Sequence, residues 1–265
     1  MDMESKYIYI YIREKAKKYW LARQLYRTFR KAQGTVIYRK NRKLYNALNE
    51  DASFAIMPQY KFPCLLDRFA HAGSLGSYFW QDLWAAKKIY ERNPKEHYDI
   101  GSRVDGFIGH LAAFRGNIKL IDIRPMENVI PGVEFVQADA TDLNGIADST
   151  IESISALCSL EHFGLGRYGD QVDPDAFHKV ARAIVRVLKD DGDAYIAVPV
   201  GKQHVEFDAH RVFYASTVIE SFAPLKLIEF SCTNDGPTEY NVPIHKYDDF
   251  LNRGAELFGL FHFRK

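Results

Sequence analysis

The spacing of hydrophobic positions along the 265-residue chain changes near residue 96. Before that point it is helical. Leu21, Leu25 and Phe29 recur every fourth residue within 6–32, Ala22, Tyr26 and Ala32 lie beside them, and arginine and lysine occupy much of the rest. The pattern predicts a mainly helical, amphipathic segment. Residues 46–65 contain Pro58 and Pro63 and read as a linker. A second helix is expected within 72–92, starting near Ser77, with Phe79, Leu83, Ala86 and Tyr90 on one stripe. That stripe would cover an edge of the next domain; alternatively, Tyr78, Trp80 or Gln81 helps to close a ligand site.

From residue 96 onward, short Ile/Val/Leu-rich runs alternate with helical ones. Strands are expected at 97–100, 119–123, 134–138, 151–158 and 194–200. A helix is expected at 107–114 and a clearer one at 174–189, with Asp173 as its cap and Pro174 at its first position. Phe177, Val180, Ala181, Ile184 and Leu188 form its apolar face, Lys189 sits near its negative end and Gly192 lies just past it. A helix at 216–222 and strands at 226–231 and 257–263 complete the series. The alternation predicts a doubly wound α/β fold, mostly parallel, ending in an antiparallel hairpin. The expected organisation is a basic helical extension and linker over 1–65, then an α/β domain over 66–265 with a leading covering helix.

Composition adds little to this, whereas charge adds more. Hydrophobic and charged contents of 47% and 26% are ordinary for a folded domain. Cys64, Cys158 and Cys232 stand far apart without metal-ligand spacing, which suits a reducing compartment, and no metal site is expected. No apolar run reaches the ~20 residues needed to cross a bilayer, and no signal-peptide pattern opens the chain. The expectation is a cytoplasmic protein. The net charge of +1 hides an asymmetry: residues 1–45 carry 13 Lys/Arg against three acids, a net +10, and the remainder carries −9. Two readings of the basic helix stay open. It lies on anionic lipid at the inner membrane face with Trp20 and the tyrosines at the interface, or it is a solvated helix docked on its own acidic domain or a partner subunit. Nucleic acid is not expected, since no recognition module accompanies the charge, and the pattern does not specify an oligomeric state.

In a doubly wound fold, ligands lie beyond the carboxyl ends of the central strands. The first strand runs into YDIGSRVDGFIGHL, where Asp99 closes the strand, Gly101 and Ser102 form a turn, and Gly106 and Gly109 lead into a helix. A glycine turn lets a ligand approach the backbone. The second strand ends at Asp122 and Ile123, about 20 residues after the turn, where an acid can accept both ribose hydroxyls. The third ends at Asp139 and Ala140, placed for an adenine ring and its amino group. Singly, each acid reads as a turn or cap residue; on three successive strands they read as an adenosine site. A nicotinamide-dependent short-chain enzyme would start its fold near residue 1 with a GxxGxxG turn, and no such turn is present. The layout looks like a class I S-adenosyl-L-methionine (SAM) methyltransferase.

Six phrases carry a closer resemblance: DIGSRVDGFIGHL, IDIRP, ADATDL, SLEHFGLGRYGD, RVLKDDGDAYIAVPVG and FDAHRVF. Over 97–230 the chain resembles a bacterial family of uncharacterised methyltransferase-like proteins associated with surface-polysaccharide biosynthesis. LEHFGLGRYGD is the most specific of the six. The resemblance implies a Rossmann-like SAM-binding fold and methyl transfer to a sugar-containing or glycolipid acceptor. The chain departs from the common DxGxGxG turn, since Arg103 and Asp105 stand where glycines would be. The gap between the second and third strands is also too short for a normal helix. A non-catalytic binding or scaffold protein of a glycan-assembly complex is the alternative.

Methyl transfer from a sulfonium needs alignment and often removal of the acceptor's proton. The polar groups past the fourth strand are Glu161 and His162. His162 reads as a general base with an ordinary pKa near ~6.5, and Glu161 as its orienting partner or as a ligand for the cofactor's amino group. Both could instead only tie the loop down. Arg167 and Tyr168 read as acceptor-binding residues, by bidentate grip and by stacking, or Arg167 pairs with Asp170 to stiffen the loop. After the fifth strand, alternation would put His204, Glu206, Asp208 and His210 on one strand face. A metal site there is less favoured than acceptor binding by His210 and Arg211. Residues 233–243 are expected to form a loop over the same end of the sheet.

Overall fold

The computed structural model describes residues 3–70, 73, 75–114 and 116–265, with side chains described outside 3–23. It divides into two units, Met1–Ser74 and Leu75–Lys265. In the first, α1 (Met3–Leu48) runs through the whole basic segment and is followed by short 3-10 turns at Ala52–Phe54, Pro58–Tyr60 and Asp67–Phe69. Leu25, Tyr26 and Phe29 are exposed. Arg30 lies over the Phe69 ring at 4.7 Å, and a side chain at Gly34 would run into the Leu65 carbonyl. Trp20, Leu21 and Ala22 lie outside the described side chains.

The second unit begins with α2 (Ser77–Arg92) and continues through β1 (His97–Ile100), a π-helical turn at Val104–Ile108, α3 (Gly109–Phe114), β2 (Ile118–Asp122) and β3 (Val133–Gln137). It goes on with β4 (Ile151–Leu157), α4 (Ala176–Val187), β5 (Leu188–Pro199), β6 (His204–Glu206), β7 (His210–Val212), α5 (Ala215–Ser221), β8 (Lys226–Asn234) and β9 (Leu257–Arg264). Seven strands form one sheet in the order β3-β2-β1-β4-β5-β9-β8. β1 to β5 are parallel, and β9 enters antiparallel between β5 and β8. This mixed sheet is the class I methyltransferase fold. The chain reverses its progress across the sheet between β1 and β4, the place where such folds open a crevice.

Period-2 alternation sorts the side chains to two faces. Ile154, Ala156, Ile196 and Val198 meet Phe177, Val180, Ile184 and Val187 of α4 on one face. Leu120, Leu157, Tyr195 and Ala197 meet Trp84 and Ile89 of α2 and Phe107, Ile108 and Leu111 on the other. β3 is an edge strand and largely exposed, because the ten residues between β2 and β3 form no helix to cover it.

Several expectations are corrected. The stripe Phe79, Leu83 and Tyr90 on α2 faces solvent; the buried face is Gln81, Asp82, Trp84, Ala85, Ala86 and Ile89. Two polar residues on that face hid it from the hydrophobic pattern. α4 ends at Val187 and Leu188 already opens β5, so Lys189 and Gly192 belong to the strand. Asp173 does receive the Asp175 N–H at 2.9 Å, but regular helix starts only at Ala176. Residues 204–210 form not one strand but a tight hairpin, with Asp208 at positive φ in its turn.

α2 is tied to the sheet at three heights. Ser77 donates its N–H and Oγ–H to Asp235 and the Glu256 carbonyl, Trp84 and Lys88 both bond Glu229 at 2.8 Å, and Arg92 reaches the buried Asp193 at 2.7 Å. His262 and Arg264 hold the other oxygen of Asp193.

Candidate functional site

A cleft of ≈ 340 Å³ opens at the carboxyl ends of β1 to β4. That volume lies within the range typical of small-molecule sites. Its floor is the turn after β1. Asp99 is fully buried and accepts the Ser102 N–H at 2.9 Å, the Ser102 Oγ–H at 2.7 Å and the Ser155 Oγ–H at 2.5 Å. Asp99 therefore faces inward and shapes the turn rather than the ligand. Burial pushes its carboxyl up to about 6. Gly101 turns at φ +65, and a Cβ there would sit 3.2 Å from Ser159 Cβ. The chain then passes Arg103, which pairs with Asp105 and stacks on Tyr78 at 4.9 Å, into the single π-helical turn. Gly106 is closely covered by the Asp82 carboxylate, so a side chain there would collide with it.

Asp122 and Asp139 both stand at the cleft, as strand-end acids should, and both close a local turn. Asp122 accepts the Arg124 N–H at 2.9 Å and its side chain at 3.0 and 2.6 Å. Asp139 accepts the Thr141 N–H at 2.8 Å and the Thr141 hydroxyl. Ile121, Ile123, Ala138 and Ala140 give the apolar wall between them. The turn reading of each acid and its place at the cleft are thus compatible.

Beyond β4, a short 3-10 turn (Leu160–His162) carries the polar pair. Glu161 is buried; its Oε2 has no partner, and burial pushes its carboxyl up to about 8. Its Oε1 lies 3.8 Å from His162 Nε2. His162 lines the cleft, with Nδ1 2.6 Å from the Ala209 carbonyl. That contact places the ring proton on Nδ1 and leaves the Nε2 lone pair free. Burial holds the imidazole down to about 4, well below the ordinary value expected from sequence. The two groups are therefore both neutral near pH 7, and they do not form an ion pair.

The glycine loop is organised by Asp170. Its carboxylate accepts the N–H groups of Gly164 at 2.7 Å, Gly166 at 3.3 Å and Tyr168 at 3.2 Å, so it does not pair with Arg167. Gly164 turns at φ +71 against the Asp173 carbonyl, leaving no room for a side chain. Arg167 donates to the Ala209 carbonyl at 3.0 Å, and its guanidinium lies over Tyr168 at 5.1 Å. Arg211 points into the protein and donates to the carbonyls of Phe163 at 2.5 Å and Glu161 at 3.4 Å. It positions the β4 loop. His210 is buried beside His162, with ring centroids 6.5 Å apart, and its Nε2 is 3.4 Å from Glu206 but off the axis of a hydrogen bond. Among the described residues no group of three or more His, Cys, Asp or Glu is placed to hold a metal ion.

Two contributors were not singled out from the sequence. Arg124 reaches the cleft, covering Tyr168 at 4.5 Å; its position two residues after Asp122 in IDIRP is the signal that marks it. Ser155 extends the support of Asp99 to the buried His97, whose ring bonds Ser153 and Ser155 at 2.8 Å.

A family model described as "Caenorhabditis protein of unknown function, DUF268" matches residues 130–247, which include the glycine loop and the β6–β7 hairpin. No curated protein matches the chain. Among solved structures, it is similar to the 1,6-didemethyltoxoflavin-N1-methyltransferase of Burkholderia thailandensis, bound to S-adenosylhomocysteine (17% identity, 71% of this chain and 79% of that one, TM-score 0.48). It is also similar to the N-methyltransferase NodS of Bradyrhizobium japonicum in complex with S-adenosylhomocysteine (14%, 86% and 97%, 0.47). A TehB-like SAM-dependent methyltransferase of Corynebacterium glutamicum gives 16%, 76% and 92%, and 0.45. At these identities the likeness is one of fold.

Proposed function

We propose that the chain is a SAM-dependent methyltransferase that O-methylates a sugar or glycolipid precursor of a surface polysaccharide on the cytoplasmic side of a membrane. The observation that carries the activity is the switch-point cleft itself: a glycine cradle, strand-end acids and His162 meet there, with Glu161 buried behind His162. The acceptor class is supported only by the sequence resemblance.

The residues fit the cofactor. Gly101 and Ser102 leave the backbone open to it, Asp122 offers a carboxylate to ribose hydroxyls, and Ile123, Asp139 and Ala140 frame an adenine. Glu161 Oε1, 3.8 Å from His162 Nε2, stands as the partner that orients that ring. When bound, SAM would supply a methyl group activated on its sulfonium. His162 Nε2 then takes the acceptor's hydroxyl proton while Nδ1–H stays on the Ala209 carbonyl. Arg211 holds the loop that carries His162.

Calorimetry with S-adenosylhomocysteine tests the reading: binding is expected, and Asp122→Ala should weaken it. No binding at high micromolar concentration would overturn it. It would favour the non-catalytic alternative, which has one observation behind it: Arg103 and Asp105 stand in the turn where a SAM site usually has glycines. SAM-dependent label transfer into purified surface glycans or their lipid-linked precursors tests the acceptor; label absent from both fractions would reject it.

We also propose that the basic segment around residues 6–32 rests on anionic lipid. Leu25 and Phe29 are exposed beside Arg27 and Lys31 on α1, the combination an interfacial helix needs. Flotation with vesicles containing anionic lipid should fall when Arg27, Arg30 and Lys31 are changed to Glu. Equal flotation would reject the contact.

A further inference from the structure

The Asp122 carboxylate is already occupied. A carboxylate offers about four lone-pair positions. Three are taken by Arg124: its backbone N–H, its Nε and one terminal nitrogen. Two ribose hydroxyls need two more. The backbone bond belongs to the turn, so the Arg124 side chain must give up at least one of its own. The half-released guanidinium is already stacked at 4.5 Å on Tyr168 and stays at the cleft.

Arg167 lies over the same ring at 5.1 Å. It donates only to a carbonyl, and no carboxylate is paired with it among the described residues. The nearby acids are otherwise engaged: Asp170 by three backbone N–H groups, Asp105 by Arg103, Asp139 by the Thr141 turn. Tyr168 packs edge-on against His162 at 5.4 Å, so the two cations flank the residue placed to take the acceptor's proton.

Building on the methyltransferase reading, we propose that cofactor binding at Asp122 frees Arg124 to form, with Arg167 around Tyr168, a binding site for a phosphate group carried by the acceptor. Arg167, which has no paired carboxylate among the described residues, and Arg124, whose hold on Asp122 is loosened, offer the positive charge a phosphate monoester needs, and the guanidinium fork matches its oxygens. The Asp122–Arg124 pair then acts as a latch: with the cofactor absent, Arg124 is neutralised and the phosphate site is incomplete. Cofactor and phosphate must help each other bind, and by equal factors.

The test is calorimetric titration of S-adenosylhomocysteine into the full chain at fixed ionic strength, with and without inorganic phosphate. Phosphate should tighten binding by about five-fold or more, the lower end of common coupling factors. Arg167→Met should abolish the coupling. Arg124→Met should abolish it too, and should tighten binding without phosphate, because the internal competitor for Asp122 is gone. Circular dichroism of both variants checks that they fold. Binding without any coupling, or coupling retained in both variants, overturns the latch but leaves the cofactor site standing. Equal coupling by acetate overturns the phosphate assignment. If S-adenosylhomocysteine binds under no condition, the methyltransferase reading falls as well.

Discussion

Replacing Glu161 by Gln preserves the shape of a buried side chain and removes its titration. Burial raises this carboxyl from 4.5 to about 8. Between those values the folded protein keeps a proton that the unfolded chain has released. Stability must therefore fall as pH rises through the window, by up to about 1.4 kcal/mol per pH unit. Other shifted groups overlap its lower part, below pH 6.5. Asp82 and Asp99, raised to about 6, act with the same sign but finish lower. His162, held down to about 4 from 6.5, has the opposite sign: its stabilisation is present above 6.5 and is lost towards acid. The interval from pH 6.5 to 8 thus belongs mainly to Glu161, and over it the unliganded protein should lose about 2 kcal/mol. Guanidinium unfolding followed by circular dichroism at half-unit steps of pH measures this. In Glu161→Gln the slope should vanish and the stability at pH 8 should exceed that of the parent. A variant that loses stability in parallel with the parent would refute the reasoning, because the proton would then reside elsewhere.

His162→Ala should leave S-adenosylhomocysteine affinity intact while methyl transfer falls by roughly 10²–10⁴-fold, the usual worth of a general base; unchanged transfer in a single-turnover assay would remove His162 from that role. Gly164→Ala places a Cβ on the Asp173 carbonyl at a left-handed φ, so urea unfolding should show a loss of about 2 kcal/mol or more; a loss below about 0.5 kcal/mol would contradict the packing. Asp99→Asn puts an amide donor towards groups that already donate, and should cost about 1–3 kcal/mol. The same variant should weaken S-adenosylhomocysteine binding, because the Gly101–Ser102 turn loses its anchor.

The strand–helix alternation could be read because each buried strand is a short unbroken apolar run, and β1, β4, β8 and β9 fall close to where those runs predict them. The acids at strand ends were legible for the same reason: the end of an apolar run marks the end of the sheet. Three things could not be read. The buried face of α2 contains Gln81 and Asp82, so the exposed Phe79 and Leu83 looked like the core side. The β6–β7 turn depends on Asp208 at positive φ, a backbone property without a hydrophobic signature. The direction of Arg211 and the protonation of Glu161 and His162 depend on what packs over them, which no linear pattern contains.

The fastening of α2 has a mechanical consequence. Tyr78, on its first turn, forms a wall of the cleft, wedged between Phe258 and Arg103. A helix bolted at its top to Asp235, at its middle to Glu229 and at its foot to Asp193 cannot swing as a door. Traffic into the cleft must then pass the opposite jamb, where the side chains of Arg124 and Tyr168 rest on each other. The gate and the proposed phosphate site are on this account the same few atoms, so a molecule entering the cleft must undo the contacts it will later use.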